Sequence, residues 1–313
     1  MPPRQVCARR IMRLTHLFIM VVFNVCWAAT LPINKALGNW LEPGGIVTLR
    51  FLLATLALAP LWRWLPGPPL QGRDWLRAAV MGMLVFCVGQ RLQVLGNALG
   101  GAGNSAVLMA LEPLITSLLA ALLLKEHIPW RRWAGFVLGI TGVALLNGVW
   151  RPEFQWTSLT ANLIFISSFV CESGYSILGK PVAQRAGSAR ILATALVAGT
   201  LANVLYDGGS TWQAAHKLPW QAWAGLAFMA LVCTVLGYTA WLWVIKETPV
   251  SLVVLTIFVQ PLAGVPMAAY WLGESLHWGQ LWGVLVIGAG LVLGLVEWPE
   301  RRRVPLSKAA LEN

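Results

Sequence analysis

Charged residues are scarce in this chain. Lys, Arg, Asp and Glu make up 11% of its 313 residues, while 58% are apolar. Globular domains carry about 25% charged residues. So few charges exclude a water-soluble fold of this size, because they could not cover its surface. Hydrocarbon solvent removes that requirement. Cysteine is sparse as well. Cys7, Cys26, Cys87, Cys171 and Cys233 are scattered, with no CxxC and no His three or four residues from a Cys on one face. That pattern excludes a disulfide framework and a zinc site, and no metal or other cofactor is expected. No GxxxxGK is followed by Ser or Thr, which removes direct use of ATP. His16, His127, His216 and His277 all fall near the ends of apolar runs, and no Asp is placed inside one. An enzyme acting within the bilayer on lipid, which would want such nucleophiles clustered, is therefore the weakest alternative.

Long apolar runs are what the chain does have. Ten occur, at roughly 14–34, 44–62, 75–98, 102–124, 132–149, 158–180, 189–207, 220–245, 249–272 and 278–297. Each approaches the ~20 residues that a helix needs to cross hydrocarbon. Glu42-Pro43-Gly44-Gly45, Pro66-Gly67-Pro68-Pro69, Gly100-Gly101, Arg151-Pro152, Gly208-Gly209 and Thr248-Pro249 read as breaks between them. The first run follows a basic segment, as in a secretory signal, but its length reads as a retained helix. Residues 1–11 read as an extension, with Met12 as an alternative start.

The net charge of +11 does not point to nucleic acid, because the basic residues sit in short loops and tails. With the N-terminus in the cytoplasm, 18 of the 23 Lys and Arg fall on the inner side. Both termini are expected to be cytoplasmic. Trp40, Trp62, Trp64, Trp75, Trp150, Trp156, Trp220, Trp271 and Trp298 stand near run ends, as an aromatic belt does. Trp27, Trp241 and Trp243 lie deeper and are candidates for lining a cavity.

One stretch occurs twice. Glu112-Pro113-Leu114, Leu124-Lys125-Glu126, Trp130, Gly135 and Gly142 return as Gln260-Pro261-Leu262, Leu272-Gly273-Glu274, Trp278, Gly283 and Gly290, always 148 residues on. Five crossings separate the copies, so the second should be inverted, as in many secondary transporters. The expected fold is an all-α integral membrane protein of ten transmembrane helices in two inverted five-helix repeats, 14–149 and 158–297. Cytoplasmic tails at 1–13 and 298–313 flank them. Gly135, Gly139 and Gly142 suit close packing of the fifth helix against neighbours or the tenth, away from the pathway. Pro113 and Pro261, one in each copy, are hinge candidates. Glu126 and Glu274 are expected to order helix turns by accepting from exposed helix-start N–H groups.

A charge within a span needs a partner or a water-filled cavity. Arg50, Arg91, Glu112 and Glu172 are the four that stand out. Depth along the helices places both arginines in the outer half, Glu112 near the midplane and Glu172 towards the cytoplasm. Arg50 and Glu112 could form a structural ion pair, and Arg91 could snorkel to the outer interface. Glu172 has no cation at its level and is a candidate proton carrier. Polar stripes join these positions: Ser168, Glu172, Tyr175 and Gly179; Ser105, Glu112 and Thr116; Gln90, Gln93 and Asn97; Thr234, Tyr238 and Trp241; Thr256 and Gln260; Asn24 and Trp27. Such faces on six helices imply a shared aqueous cavity. Its expected substrate and proton pathway comprises Arg50, Arg91, Glu112, Glu172, Tyr175, Tyr238, Trp241 and Gln260.

With these residues in view, the chain resembles the drug/metabolite transporter superfamily, in the EamA-type branch of ten-helix bacterial transporters, over essentially all of 14–297. The resemblance rests on Arg50-Phe51-Leu52-Leu53-Ala54, Ala98-Leu99 and the duplicated Pro-Leu and Glu126/Glu274 landmarks. Lys35 and Lys180 match the basic residue ending the first helix of each repeat. Lys125 departs from the small residue usual before Glu126, and Cys26-Trp27-Ala28 lacks the more usual Trp-Gly pair. The resemblance implies two inverted repeats around a central cavity and export of amino acids or related small metabolites across a bacterial inner membrane. The expected function is secondary active export by alternating access, coupled to protons. Facilitated import is the competitor within the same class. The partners expected are a small-molecule substrate, protons and the lipid bilayer.

Overall fold

Proline marks where several of the apolar runs begin to coil. Pro43 occupies the first turn of its helix, and Pro129, Pro219 and Pro249 each stand immediately before one in extended backbone. A residue without an N–H loses nothing at a helix start, where that group has no internal partner. Ser158 caps another helix by accepting from the Ala161 N–H at 3.3 Å. The structure is a computed structural model that describes residues 12–99, 107–152, 158–272 and 278–296. Gly273, Glu274, Ser105, Gly100-Gly101, Trp156, Trp298 and the terminal segments, on which some of the expectations fall, lie outside the described residues.

Among the described residues the protein is all helical, with no strand. In chain order the helical segments are α1 (Leu14–Leu37), α2 (Pro43–Trp64), α3 (Arg73–Leu99), α4 (Val107–Leu123), α5 (Trp130–Leu146), α6 (Leu159–Ala183), α7 (Ser188–Ala215), α8 (Trp220–Glu247), α9 (Val250–Gly264, continuing to Leu272) and α10 (Trp278–Leu295). Seven are long and apolar enough to cross a membrane: α1, α2, α3, α6, α7, α8 and α10. α4 and α9 are shorter apolar helices. Large apolar side chains such as Leu56, Leu122, Val137, Leu163, Leu205, Leu231 and Val292 are exposed. So much apolar surface fits hydrocarbon surroundings and not water.

The expected break at Gly208-Gly209 is overturned. α7 runs without interruption through both glycines to Ala215. Helix propensity costs about 1 kcal/mol per glycine, but α7 packs along α2 and α3 and that packing prevails. The extension brings Asp207 inside the helix, so the expectation that no Asp lies within a span fails too. At Gly82 of α3 an added Cβ would overlap the Ala195 backbone of α7, and at Gly199 it would meet the Gly82 carbonyl. The two helices approach at backbone distance there.

α5 and α10 form the second close seam. A Cβ on Gly142 or Gly283 would crowd the opposite helix, as would one on Gly135 or Gly290. This bears out the expected packing of the glycine-bearing fifth helix against the tenth.

Two features went unread in the sequence. α3 widens to a π-helix over Met83–Gly89, and α8 does so over Met229–Leu236. Such insertions are frequent at functional sites. The hinge candidates also sit at irregularities. α4 turns at Ala110 and Leu111, just before Pro113. α9 tightens to a 3-10 helix over Val254–Phe258, just before Pro261.

Candidate functional site

The polar faces converge on one cavity of about 850 Å³, counting the open space at its mouth. Its wall is built from α1 (Trp27, Thr30, Asn34), α2 (Arg50), α3 (Gln90, Gln93), α4 (Met109, Glu112, Thr116), α6 (Glu172, Tyr175, Ser176), α8 (Tyr238, Trp241) and α9 (Val254, Ile257, Gln260). Neither α5 nor α10 contributes a side chain to it. The glycine seam thus leaves the polar helices to surround the cavity.

Arg50 is buried, and its hydrogen bonds are to neutral groups. Its Nε donates to Thr234 Oγ1 at 3.0 Å and its Nη1 to Gln90 Oε1 at 3.2 Å. Thr234 in turn donates to the Met229 carbonyl five residues back, at 2.9 Å. That i−5 bond exists because α8 is π-helical there. Gln90, the first residue after the π segment of α3, donates through Nε2 to Glu172 and, at 3.3 Å, to Gln93. A chain therefore runs Thr234–Arg50–Gln90–Glu172 across α8, α2, α3 and α6. The expected Arg50–Glu112 ion pair is replaced by this chain.

Glu112 lies on the same wall. One turn further along α4, Thr116 shares a 2.7 Å hydrogen bond with Ser173, the residue after Glu172. On the opposite side Gln260 Nε2 donates to Asn24 Oδ1 at 2.9 Å, and Asn24 donates to Thr256 at 3.0 Å and to the Met20 carbonyl at 2.7 Å. The aromatic side chains meet edge-on: Trp27 with Tyr238 (5.8 Å) and Trp241 (5.9 Å), and Tyr175 with Tyr238 (4.8 Å). Their polar atoms are anchored, Trp27 Nε1 on the Cys233 carbonyl, Trp241 Nε1 on Ser176 and Tyr175 on the Tyr238 carbonyl. Trp243 does not reach the cavity; it meets His16 edge-on at 4.7 Å and is 42% exposed.

Arg91 is outside the cavity wall. It pairs with Asp207 at 2.9 Å, donates through Nε to Asn203 (2.7 Å) and through Nη2 to Thr48 (3.0 Å), and lies over the Tyr206 ring at 4.8 Å. Thr48 completes the cluster by donating to Asp207 at 2.6 Å. Snorkelling is thus replaced by a half-buried ion pair between α3 and α7. Asp207, Asn203 and Thr48 were missed. An acidic residue near the depth of an unpaired arginine was the signal available.

A third cluster ties α4, α6, α8 and α9 together at the far end of the bundle. Lys180 Nζ contacts Glu126 Oε1 at 2.7 Å and donates to the Thr248 carbonyl at 2.9 Å. Glu126 also accepts from the Val250 N–H (2.9 Å) and the Ser251 N–H (3.2 Å), the first N–H groups of α9. The expected helix-start role is borne out, but the helix served lies in the other half of the chain. Burial pushes the Glu126 carboxyl up, but Lys180 and the two backbone donors outweigh it and hold it below its ordinary range.

Comparison with known proteins adds a family to this geometry. The profile of the EamA-like transporter family matches twice, over residues 14–148 and 159–296. A probable terminal-alkyne amino-acid exporter from Streptantibioticus cattleyicolor is 25% identical over 82% of this chain and 84% of that protein. A probable amino-acid metabolite efflux pump from Salmonella typhimurium is 25% identical over 66% of this chain and 71% of its own. An S-adenosylmethionine uptake transporter from Rickettsia prowazekii is 26% identical over 44% and 51%. A solved crystal structure aligns with TM-score 0.68 at 16% identity, over 89% of this chain and 94% of that one, which shows a shared fold. The family and these names point to a small-metabolite transporter rather than an enzyme. With both halves matched, this chain belongs to the EamA-like transporter family, within the drug/metabolite transporter superfamily.

Proposed function

We propose that this protein exports small metabolites, amino acids or related compounds, across the bacterial inner membrane by alternating access, driven by protons. The observation that carries this reading is the Arg50–Gln90–Glu172 chain opening onto a polar and aromatic cavity. A carboxylate in a cavity between helices is suited to taking a proton on one side and releasing it on the other. In this reading Arg50, Glu112, Glu172, Tyr175, Tyr238, Trp241 and Gln260 line the pathway, while Arg91 stiffens its wall. The ten segments are ten crossings in two inverted repeats, with both termini cytoplasmic. The Glu126–Lys180 cluster then closes the cytoplasmic end, and the bends before Pro113 and Pro261 supply the hinges.

The test is flux from proteoliposomes loaded with mixed amino acids and metabolites, with and without a pH gradient, read by mass spectrometry. Gradient-dependent loss of a solute is expected, and Glu172→Gln should abolish that dependence while the protein still folds. Equal loss without a gradient would reduce the mechanism to facilitated diffusion. The relative named for uptake favours one second reading, import through the same cavity. Accumulation inside empty vesicles driven by the same gradient would select it.

A further inference from the structure

The cavity is charged on one side only. The 148-residue offset that aligns Glu112 with Gln260 also aligns Asn24 with Glu172, Trp27 with Tyr175 and Gln90 with Tyr238. The α1–α9 side therefore carries the amide pair Asn24 and Gln260, closed on itself by the 2.9 Å bond. The α4–α6 side carries Glu112 and Glu172 at the equivalent places. Arg91 is spent on Asp207, so Arg50 is the cation on the cavity wall against two carboxyls. A negative charge brought among these groups would oppose the charged form of both carboxyls. A positive one would hold them in their charged form.

A second observation points to a ligand with donors. Asn34 lines the same cavity, and its Oδ1 is buried with no hydrogen-bond partner. A buried acceptor left without a partner is unfavourable, and a ligand N–H would satisfy it. The rings add a third constraint. Tyr238 lines the cavity with Glu172 and meets Trp27 edge-on, and Trp27 meets Trp241, so the acidic and aromatic groups share one wall. Cations favour such faces.

We propose that the cavity takes a small organic ammonium ion with an aromatic body, its N–H groups on Glu112 and Glu172 and its body against Trp27 and Trp241. A carboxylate on the same molecule is tolerated where it reaches Arg50, so a zwitterionic amino acid qualifies and a simple anion does not. This rests on the reading of the cavity as the transport site and names the class of its substrate.

Three probes of one skeleton test it in purified, detergent-solubilised protein at a fixed neutral pH: phenethylamine, phenylalanine and 3-phenylpropanoate, by isothermal titration calorimetry. Phenethylamine and phenylalanine should bind and 3-phenylpropanoate should not. Glu172→Gln and Glu112→Gln should each weaken phenethylamine at least about tenfold, the loss of one charge-assisted hydrogen bond. Trp241→Leu should weaken phenethylamine more than it weakens ethylamine, a fourth probe without the ring, which separates the aromatic wall from the acidic side. A melting curve on each variant confirms folding. Binding of 3-phenylpropanoate as tightly as phenethylamine would overturn the proposal. So would no binding of phenethylamine at millimolar concentration, or wild-type affinity in both Glu→Gln variants. Because binding is read without flux, a failure of proton-driven export leaves this result standing, and a failure here leaves the export measurement intact.

Discussion

Arg50 and Arg91 look alike in the sequence, two arginines at one depth on adjacent helices, and the structure gives them opposite surroundings. Arg91 is closed off. Its charge is matched by Asp207, its remaining bonds go to Asn203 and Thr48, and no face of that cluster lines the cavity. Arg50 is bonded to an amide and a hydroxyl and opens onto the cavity beside Glu112 and Glu172. A polar cluster whose charges are balanced internally has nothing left to offer a ligand. One that is linked through neutral groups keeps its charge for something that arrives.

Removing half of the closed cluster gives the largest expected effect. Arg91→Ala leaves the half-buried Asp207 without its cation and Asn203 Oδ1 without its donor, at a cost of about 1–3 kcal/mol. The melting temperature should fall below wild type, whereas Glu172→Gln should leave it nearly unchanged and remove the gradient dependence of flux. Equal melting of Arg91→Ala and wild type would erase the distinction between the two arginines.

The Glu126–Lys180 cluster sharpens it with pH. The Glu126 carboxyl is held below its ordinary range in the folded protein, so its contribution is present above the unfolded value and lost as pH falls through the folded one. Glu126→Gln should therefore lose about 1–2 kcal/mol at neutral pH, and the gap to wild type should narrow below about pH 4. Melting curves of both proteins across that range check it. A gap that widens on acidification would contradict the sign.

The smallest effect lies next door. Lys125 has φ +55°, in the left-handed region that favours glycine, and the second copy of the motif has Gly273 there. Lys125→Gly should stabilise by about 0.5–1 kcal/mol through relief of that strain, without altering flux. A lower melting temperature would show that the lysine side chain offsets its backbone.

Much of this was legible because hydrocarbon leaves a chain few choices. The apolar runs, the glycines of α5 and α10 and the polar stripes on α6 and α8 all carry local patterns that survive folding. Glu126 was recognisable as a helix-start acceptor. Its target, the first turn of α9, was not, because the two are separated by 124 residues. Asp207 was lost to the Gly208-Gly209 pair, where glycine propensity suggested an end and packing against α2 and α3 overrode it. The π segments left no local signal, since their extra turn is held by cross-helix bonds such as Arg50 to Thr234.

The amino-acid sequence by itself determined the solvent, the helical class, the duplicated landmarks and the scarcity of buried charge, because each stems from composition and short-range periodicity. Only the tertiary structure decided which charges cancel. Arg91 with Asp207, Asn24 with Gln260 and Arg50 with Gln90 are pairings between distant helices, set by how helices cross, and no periodicity within one helix records them.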